Sequence, residues 1–381
     1  MGKWEMVRLG DAATFVNGFA FKPADWTNEG LPIIRIQNLT GSSDIINYYD
    51  KPYGAQYELN DGDILISWSA SLGVYEWNKG KALLNQHIFK VVFDKLDYDK
   101  RFFMYVIEQK LSEMSSVTHG STMKHITKKY FDAILVPLPP LPVQQQIADA
   151  LDRASALIEK RKAQIEKLNL LVKSQFIEMF GNRGCDSKPL SDIAVVIGGL
   201  TKNSSQKVQG KSYPFLRVAN VYSNDFDLTE MHNITVDDNK VNRVLLNKGD
   251  LLFVEGNGSP TQIGRVAVWD GQIQPCVHQN HLIKVRFAHK INPIYAMHYF
   301  MSPLGRKQIV RLASSTSGLY TLNLKKIGSL ELPIPPLNLQ NEFAAFVHQV
   351  ESQKSLLQQS LAKLEQNYKS LLQKCFRGEI F

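Results

Sequence analysis

Residues 136–182 read VPLPPLPVQQQIADALDRASALIEKRKAQIEKLNLLVKSQFIEMFGN, and the chain repeats this stretch. Residues 332–379 read LPIPPLNLQNEFAAFVHQVESQKSLLQQSLAKLEQNYKSLLQKCFRGE. Pro137 matches Pro333, Pro140 matches Pro336 and Gln144 matches Gln340, each pair 196 residues apart. In both copies a proline-rich elbow leads into a long segment of helical period.

The two helical segments share a heptad. Ile147, Leu151, Ala154, Ile158, Ile165, Leu168, Val172 and Met179 lie on it, with Arg161 and Gln175 at its remaining steps. Phe343, Val347, Val350, Lys354, Leu357, Leu361, Leu364, Tyr368, Leu371 and Cys375 repeat the pattern. A sustained period of about 3.5 residues predicts coiled-coil pairing rather than a broad globular helix face. Leu157, Leu170, Leu171, Leu356 and Leu372 are then outer apolar positions that a partner would cover. Pro142 and Pro336 are expected to precede the helices, where a missing N–H costs nothing. Gly181 and Gly378 are placed to end them. Parallel helices would force the intervening block to span a helix length, about 55 Å for ~37 residues. Antiparallel helices bring its two ends together and give the repeats a pseudo-two-fold relation.

The intervening blocks repeat as well. LPIIRIQNLT (residues 31–40) matches YPFLRVANVY (213–222), LNDGDILIS (59–67) matches LNKGDLLFV (246–254), and NQHIFKVVF (85–93) matches QNHLIKVRF (279–287). WEMVRLGDAATF (4–15) predicts a strand end and a short helix with Asp11 near its start, and KPLSDIAVVIGG opens the second block in the same way. The offset between the blocks grows along the chain, so insertions fall in loops between strands. The fold class is α+β, with two pseudo-two-fold-related globular domains separated by a long antiparallel coiled coil of two helices. The predicted parts are residues 1–141, the helix 142–182, residues 183–336 and the helix 337–381.

Composition sets outer limits. A chain of 381 residues with 44% hydrophobic content supports two or more cored domains. The net charge of +8 and pI of about 9.1 permit a nucleic-acid partner without requiring one. Three cysteines without motif spacing, Cys185, Cys276 and Cys375, support neither a disulfide framework nor a CxxC metal site, and fit a reducing cytoplasm. The start MGKWEMVRLGDAA lacks the pattern of a signal peptide, and no window is apolar enough to span a membrane.

The doubled pattern resembles the DNA-specificity (S) subunit of a type I restriction-modification system, over essentially the whole chain. The residues that carry the resemblance are the two elbows beginning at Val136 and Leu332, each with a glutamine soon after. Gly62-Asp63-Ile64-Leu65 with its Ser-rich loop, Asn85-Gln86-His87 and LLQKCFRGE (371–379) add to it. The resemblance implies two target-recognition domains, each reading one half of a bipartite double-stranded DNA site. It implies a helical rod that fixes the spacer and docks two modification (methyltransferase) subunits, through which restriction/translocase subunits join. It places no cofactor in this chain, S-adenosylmethionine in the modification subunit, and ATP and Mg in the endonuclease subunit. Since the two loop sets differ, the two half-sites should differ.

Two pairs of loops are candidate DNA contacts. The first is SWSASLGVYEWNKGK (67–81), with Trp68, Ser69, Ser71, Lys79 and Lys81, and its counterpart 255–265, with Asn257, Ser259, Gln262 and Arg265. Hydroxyls, amides and arginine suit base edges and phosphates. An ordinary hairpin with core tryptophans would have the same composition. The second pair holds His119, Ser121, Thr122, Lys124, Lys128 and Lys129, and Ser315, Thr316, Tyr320, Lys325 and Lys326. Such clusters bind phosphate, although a solvated lysine run is the plainer reading; the Lys-Lys at both places favours function. Arg35 and Arg217 lie in predicted strands and are expected to form structural ion pairs. Cys276-x-His278-x-x-His281 invites a metal, but strand alternation puts His281 on the opposite face from the other two, and a structural histidine is the better reading.

Enzyme signatures are missing. There is no G-x-x-x-x-G-K-[ST] and no Asx-Pro-Pro-aromatic, so the chain is expected to act by binding, not as an enzyme. A scaffold or decoy that docks a modification subunit without reading DNA is the alternative, and a self-contained nuclease or methyltransferase is a third.

Overall fold

A computed structural model describes residues 3–117, 127–181, 184–201, 210–288, 290–316 and 318–381, with backbone alone at 115–117, 238, 240 and 314–316. The chain forms two compact units, Met1–Lys162 with Ser360–Phe381, and Ala163–Gln359. Each takes one end of both long helices, Leu141–Phe180 and Leu337–Arg377.

Every heptad position named above is buried or half-buried. In the first unit, Ile147, Ala148 and Leu151 share a core with Cys375 and with half-buried Tyr368, Leu371 and Phe376. In the second, Val172 and Phe176 share a core with Phe343, Val347 and Val350. The start of one helix thus lies against the end of the other in each unit, the antiparallel arrangement expected. Leu157, Leu170, Leu171 and Leu356 are exposed. Leu372 is not an outer position: it packs on the core of the first unit, because the last turns of the helix carry a globular domain as well as a helical partner. Pro142 falls inside the first turn rather than before it, which costs no hydrogen bond there. Gly378, at φ +70°, ends the second helix, and the Glu379 N–H returns to the Lys374 carbonyl at 2.9 Å. There the chain start docks: the Lys3 N–H donates to the Arg377 carbonyl at 2.8 Å and Trp4 Nε1 to the Cys375 carbonyl at 2.7 Å.

The globular parts repeat their central strands in the same order. In the first unit an antiparallel sheet has the order Thr14–Asn17, Ile88–Val92, Asp63–Ser67, Gly73–Trp77. In the second the order is Ala194–Gly198, Leu282–Phe287, Leu251–Val254, Val266–Val268. A further sheet in each unit pairs two strands in parallel, Leu31–Ile34 with Ala82–Leu84 and Lys211–Leu216 with Val277–His278. The first sheet of each unit is covered on both sides. Ile64 and Ile66 face the helices while Leu65 faces the further sheet; Leu251 and Phe253 divide from Leu252 and Val254 in the same way. Burial on both faces is why these strands read as unbroken apolar runs. Before each, a Gly-Asp turn is built alike. Gly62 and Gly249 sit at φ +85° and +95° and donate to the carbonyls of Trp77 and Trp269. Asp63 and Asp250 accept the N–H of Asn60 and Asn247 at 2.9 and 2.7 Å.

The glutamine after each elbow is buried and fully used. Gln144 Nε2 donates to the Pro139 carbonyl at 2.9 Å, and its Oε1 accepts the Asp99 N–H at 2.8 Å. Gln340 does the same for Pro335 at 2.7 Å and Asn292 at 2.8 Å. Asp99 and Asn292 stand at the starts of the domain helices Lys100–Val117 and Pro293–Met301. Beside each elbow a tyrosine, Tyr98 or Tyr295, donates its hydroxyl to the carbonyl of Pro137 or Pro333. Gln340→Ala should destabilise the protein by about 2–4 kcal/mol, through two stranded backbone groups and a cavity. The urea-unfolding midpoint checks this, with exposed Gln349→Ala as the neutral control.

Candidate nucleic-acid interface

In the first unit the strand Asp63–Ser67 runs into a tight turn before returning as Gly73–Trp77. Ser67 Oγ donates to the Ser71 carbonyl at 2.5 Å and the Ser71 N–H to the Ser69 carbonyl at 2.7 Å. Ser69 is buried and Ser71 exposed. Trp68 is half-buried, stacked on Phe89 at 5.5 Å and edge-on to His87 at 5.0 Å, so its ring is part of the core. Lys79 and Lys81 lie at the far end of the hairpin, roughly 15 Å of strand away. There Lys81 pairs with Glu58 at 3.0 Å, and this bond holds the Glu58 carboxyl below its usual value. Residues 67–81 are therefore two surfaces rather than one.

The second unit joins its two candidate segments. Gly256–Asn257 pairs with Leu319–Thr321, which pairs with Ser314–Thr316. Asn257, Tyr320 and the backbone of Ser315 share one rung; the side chains of Ser315 and Thr316 lie outside the described residues. Asn257 Oδ1 accepts the Ser259 N–H at 2.9 Å, and the Ser259 carbonyl accepts the N–H groups of Gln262 and Ile263 at 3.1 and 3.0 Å. Arg306, on the helix Pro303–Leu312, clamps this turn through the carbonyls of Ile263, Pro260 and Thr261 at 2.6, 3.1 and 3.3 Å. Gln262 is exposed. Arg265 is half-buried with its guanidinium over the Tyr222 ring at 5.5 Å.

The lysine pairs are out of register. Thr127 caps the helix Lys128–Asp132 and Asn323 caps Leu324–Gly328. Aligning the caps puts Lys129 over Lys325, Lys128 over Leu324 and Tyr130 over Lys326. Only Lys129 and Lys325 are equivalent, and both are exposed. Lys128 is bound to Asp132 at 2.7 Å and Lys326 is half-buried. His119, Ser121, Thr122 and Lys124 lie outside the described residues.

Arg35 and Arg217 sit just past their strands, not within them. Each N–H donates to an asparagine, Asn38 at 3.1 Å and Asn220 at 3.0 Å, whose side-chain amide then ties down the following loop. Arg217 pairs with Glu230 at 3.4 Å as expected. Arg35 differs: its guanidinium lies over Trp26 at 5.2 Å, and no ion pair forms among the described residues. In the Cys-His-His stretch, Cys276 and His278 are fully buried. Burial pushes the Cys276 thiol up to about 11 and the His278 imidazole down to about 4, and His278 Nδ1 meets the Val244 carbonyl at 2.9 Å. His281 instead faces Glu255. Among the described residues no group of three or more such side chains could hold a metal ion.

Sequence reading missed the crossing glycines and a backbone bond near each. A Cβ at Gly18 would come within 2.0 Å of the Asn85 carbonyl oxygen, and one at Gly199 within 2.1 Å of that of His278. Only glycine lets the strand Thr14–Asn17, or Ala194–Gly198, cross there. The histidine carbonyls beyond accept the first N–H past the central strand, Trp68 to His87 at 3.3 Å and Glu255 to His281 at 2.9 Å. The glycines in FVNG and VIGG were the available signal.

The family model for the type I restriction modification DNA specificity domain matches residues 1–168 and again residues 182–366. The chain belongs to this family. Among curated relatives, the EcoBI and EcoKI specificity subunits of Escherichia coli are each 25% identical, over 99% of this chain and 86% and 89% of their own lengths. The MjaVIII specificity subunit of Methanocaldococcus jannaschii is 23% identical over 99% of this chain and 93% of its own. A chain solved in work on complex assembly and conformational transition of the type I restriction-modification system has a TM-score of 0.63 at 16% identity, covering 100% of this chain and 98% of that one. The S subunit from M. genitalium has 0.55 at 16%, covering 98% and 96%. At such identities the structural likeness is one of fold. No helix among the described residues is long and apolar enough to cross a membrane.

The Arg306 clamp makes a local forecast. Arg306→Met should raise hydrogen exchange at the Gln262 and Ile263 amides on the order of 10-fold or more, since the turn loses the side chain that ties three of its carbonyls together. Amides of the strand Leu251–Val254 should be unchanged in the same experiment.

Proposed function

We propose that this chain is the sequence-reading, non-catalytic subunit of a type I restriction-modification complex. Each globular domain reads one half of a bipartite DNA site. The paired helices set the spacer between the halves and dock two methyltransferase subunits, and through them the endonuclease/translocase subunits. S-adenosylmethionine would be held by the methyltransferase subunits, and ATP and Mg by the endonuclease subunits.

One observation carries this reading: a single backbone frame occurs twice with different side chains at matched loop positions. Past the central strand, Trp68 and Ser69 stand where Glu255 and Gly256 stand. A common frame with divergent tips suits two unlike half-sites, and hence an asymmetric site. Membership of the specificity family supports DNA as the ligand. Lys129 and Lys325, exposed at equivalent positions, suit phosphate contacts that position the domain without reading sequence.

Sequencing of methylated adenines in the source genome tests the proposal. A bipartite, asymmetric motif should disappear when the gene is deleted; an unchanged methylation pattern would leave a decoy or scaffold. Inserting four residues, about one helical turn, into both long helices should lengthen the spacer and leave both half-sites as they were. An unchanged spacer would reject the ruler role. Lys129→Ala or Lys325→Ala should weaken binding of the assembled complex to all sequences alike and lower its salt slope by about 1. Lys128→Ala should do much less, because Lys128 is held by Asp132.

A further inference from the structure

The second domain holds a carboxylate where the proposed reading brings a polyanion. Glu255 is the first residue beyond the strand Leu251–Val254. Its N–H donates to the His281 carbonyl at 2.9 Å and its carbonyl accepts the Leu322 N–H at 2.8 Å. Its Oε2 meets His281 Nδ1 at 2.7 Å, and the side chain remains 26% exposed. Backbone and carboxylate are thus fixed before any ligand arrives. His281 is the only side chain bonded to this carboxylate among the described residues.

Glu255 opens on a concavity of about 460 Å³, whose wall includes Gly198, Gly199, Asn280 and Asn323 and whose cations are Arg243 and Lys325. Both cations are exposed, and neither is paired with Glu255. Cations and amides in such a hollow suit phosphates and base edges. A carboxylate suits neither phosphate nor sugar oxygens. Its complement on DNA is a hydrogen-bond donor, and the major-groove base edge offers one in the exocyclic amine of cytosine (N4) or adenine (N6). The first domain lacks such an acceptor at the matched position, where Trp68 packs into the core.

We propose that Glu255 is a base-reading residue of the second domain, accepting a hydrogen bond from an exocyclic amine of cytosine or adenine, with His281 holding the carboxylate in place. The assignment rests on the DNA-reading function proposed above and adds one residue and one donor class to it.

The test uses the assembled complex with its methyltransferase subunits and oligonucleotides that carry the motif found in the genome. Each cytosine or adenine of the second half-site is replaced in turn by an analogue without the exocyclic amine, pyrimidinone or purine. With the wild-type complex, one replacement should weaken binding on the order of 10- to 100-fold. With Glu255→Leu or Glu255→Ala, which leave no acceptor, that same replacement should cost little more than in a non-specific sequence. The sensitive base tells cytosine from adenine. Because the first comparison uses the wild-type chain, misfolding of a variant cannot imitate it. The assignment is overturned if no amine deletion in that half-site matters, or if each costs the same in wild type and variants. It is likewise overturned if Glu255→Leu lowers binding to all sequences equally, as a structural role for the His281 pair would. A genome without a bipartite motif would instead remove the domain-level reading, and this assignment with it.

Discussion

The buried amide at each elbow is the contact on which the architecture depends. Gln144 and Gln340 each join three things that would otherwise meet at unsatisfied backbone groups: a proline elbow, the first turn of a long helix and the first turn of a domain helix. Prolines stiffen the elbow but donate no N–H, so a carbonyl inside it needs a partner from elsewhere. One side chain with both donor and acceptor meets that need and fixes the angle at which helix and globule part. The flanking tyrosine hydroxyls, on Pro137 and Pro333, close the same corner. Both corners are built alike, so the two domains leave their helices by the same local geometry.

Around that corner the frame is rigid and the tips are free. Central strands buried on both faces, Gly-Asp turns held by an aspartate and crossing glycines leave almost no room for change. The residues just past the strand ends carry no such constraint. Trp68 turns inward as part of a core and Glu255 outward as an acceptor, on backbones held by equivalent hydrogen bonds. The same backbone frame therefore accommodates unlike side chains at its tips.

Much of this was legible in the sequence, because the signals were periodic or duplicated. The heptad positions and the apolar strands follow from side-chain spacing, which the fold cannot evade. Matching in pairs also recovered the paired elbows. The errors arose where spacing in sequence does not report spacing in space. Lys79 and Lys81 seemed to belong with Trp68 and Ser69, but the short strand Gly73–Trp77 carries them to the other end of the hairpin. The Lys-Lys pairs looked equivalent until the caps Thr127 and Asn323 set the register. Leu372 has a heptad-outer position but a domain beside it. The partner of Arg35 turned out to be an aromatic ring from a neighbouring loop, which no local pattern announces.

The first unit is discontinuous in sequence, while the second is one uninterrupted segment, Ala163–Gln359. During synthesis the order of emergence and the order of completion therefore differ. Residues 3–162 leave the ribosome first, yet their core lacks Leu371, Cys375 and Phe376, and the Lys3 and Trp4 contacts wait for Cys375 and Arg377. The second unit has all its parts once residue 359 is out. The N-terminal domain is thus the last to be finished, and until then the apolar face of the first long helix that Leu371 and Cys375 will cover stays open to other contacts.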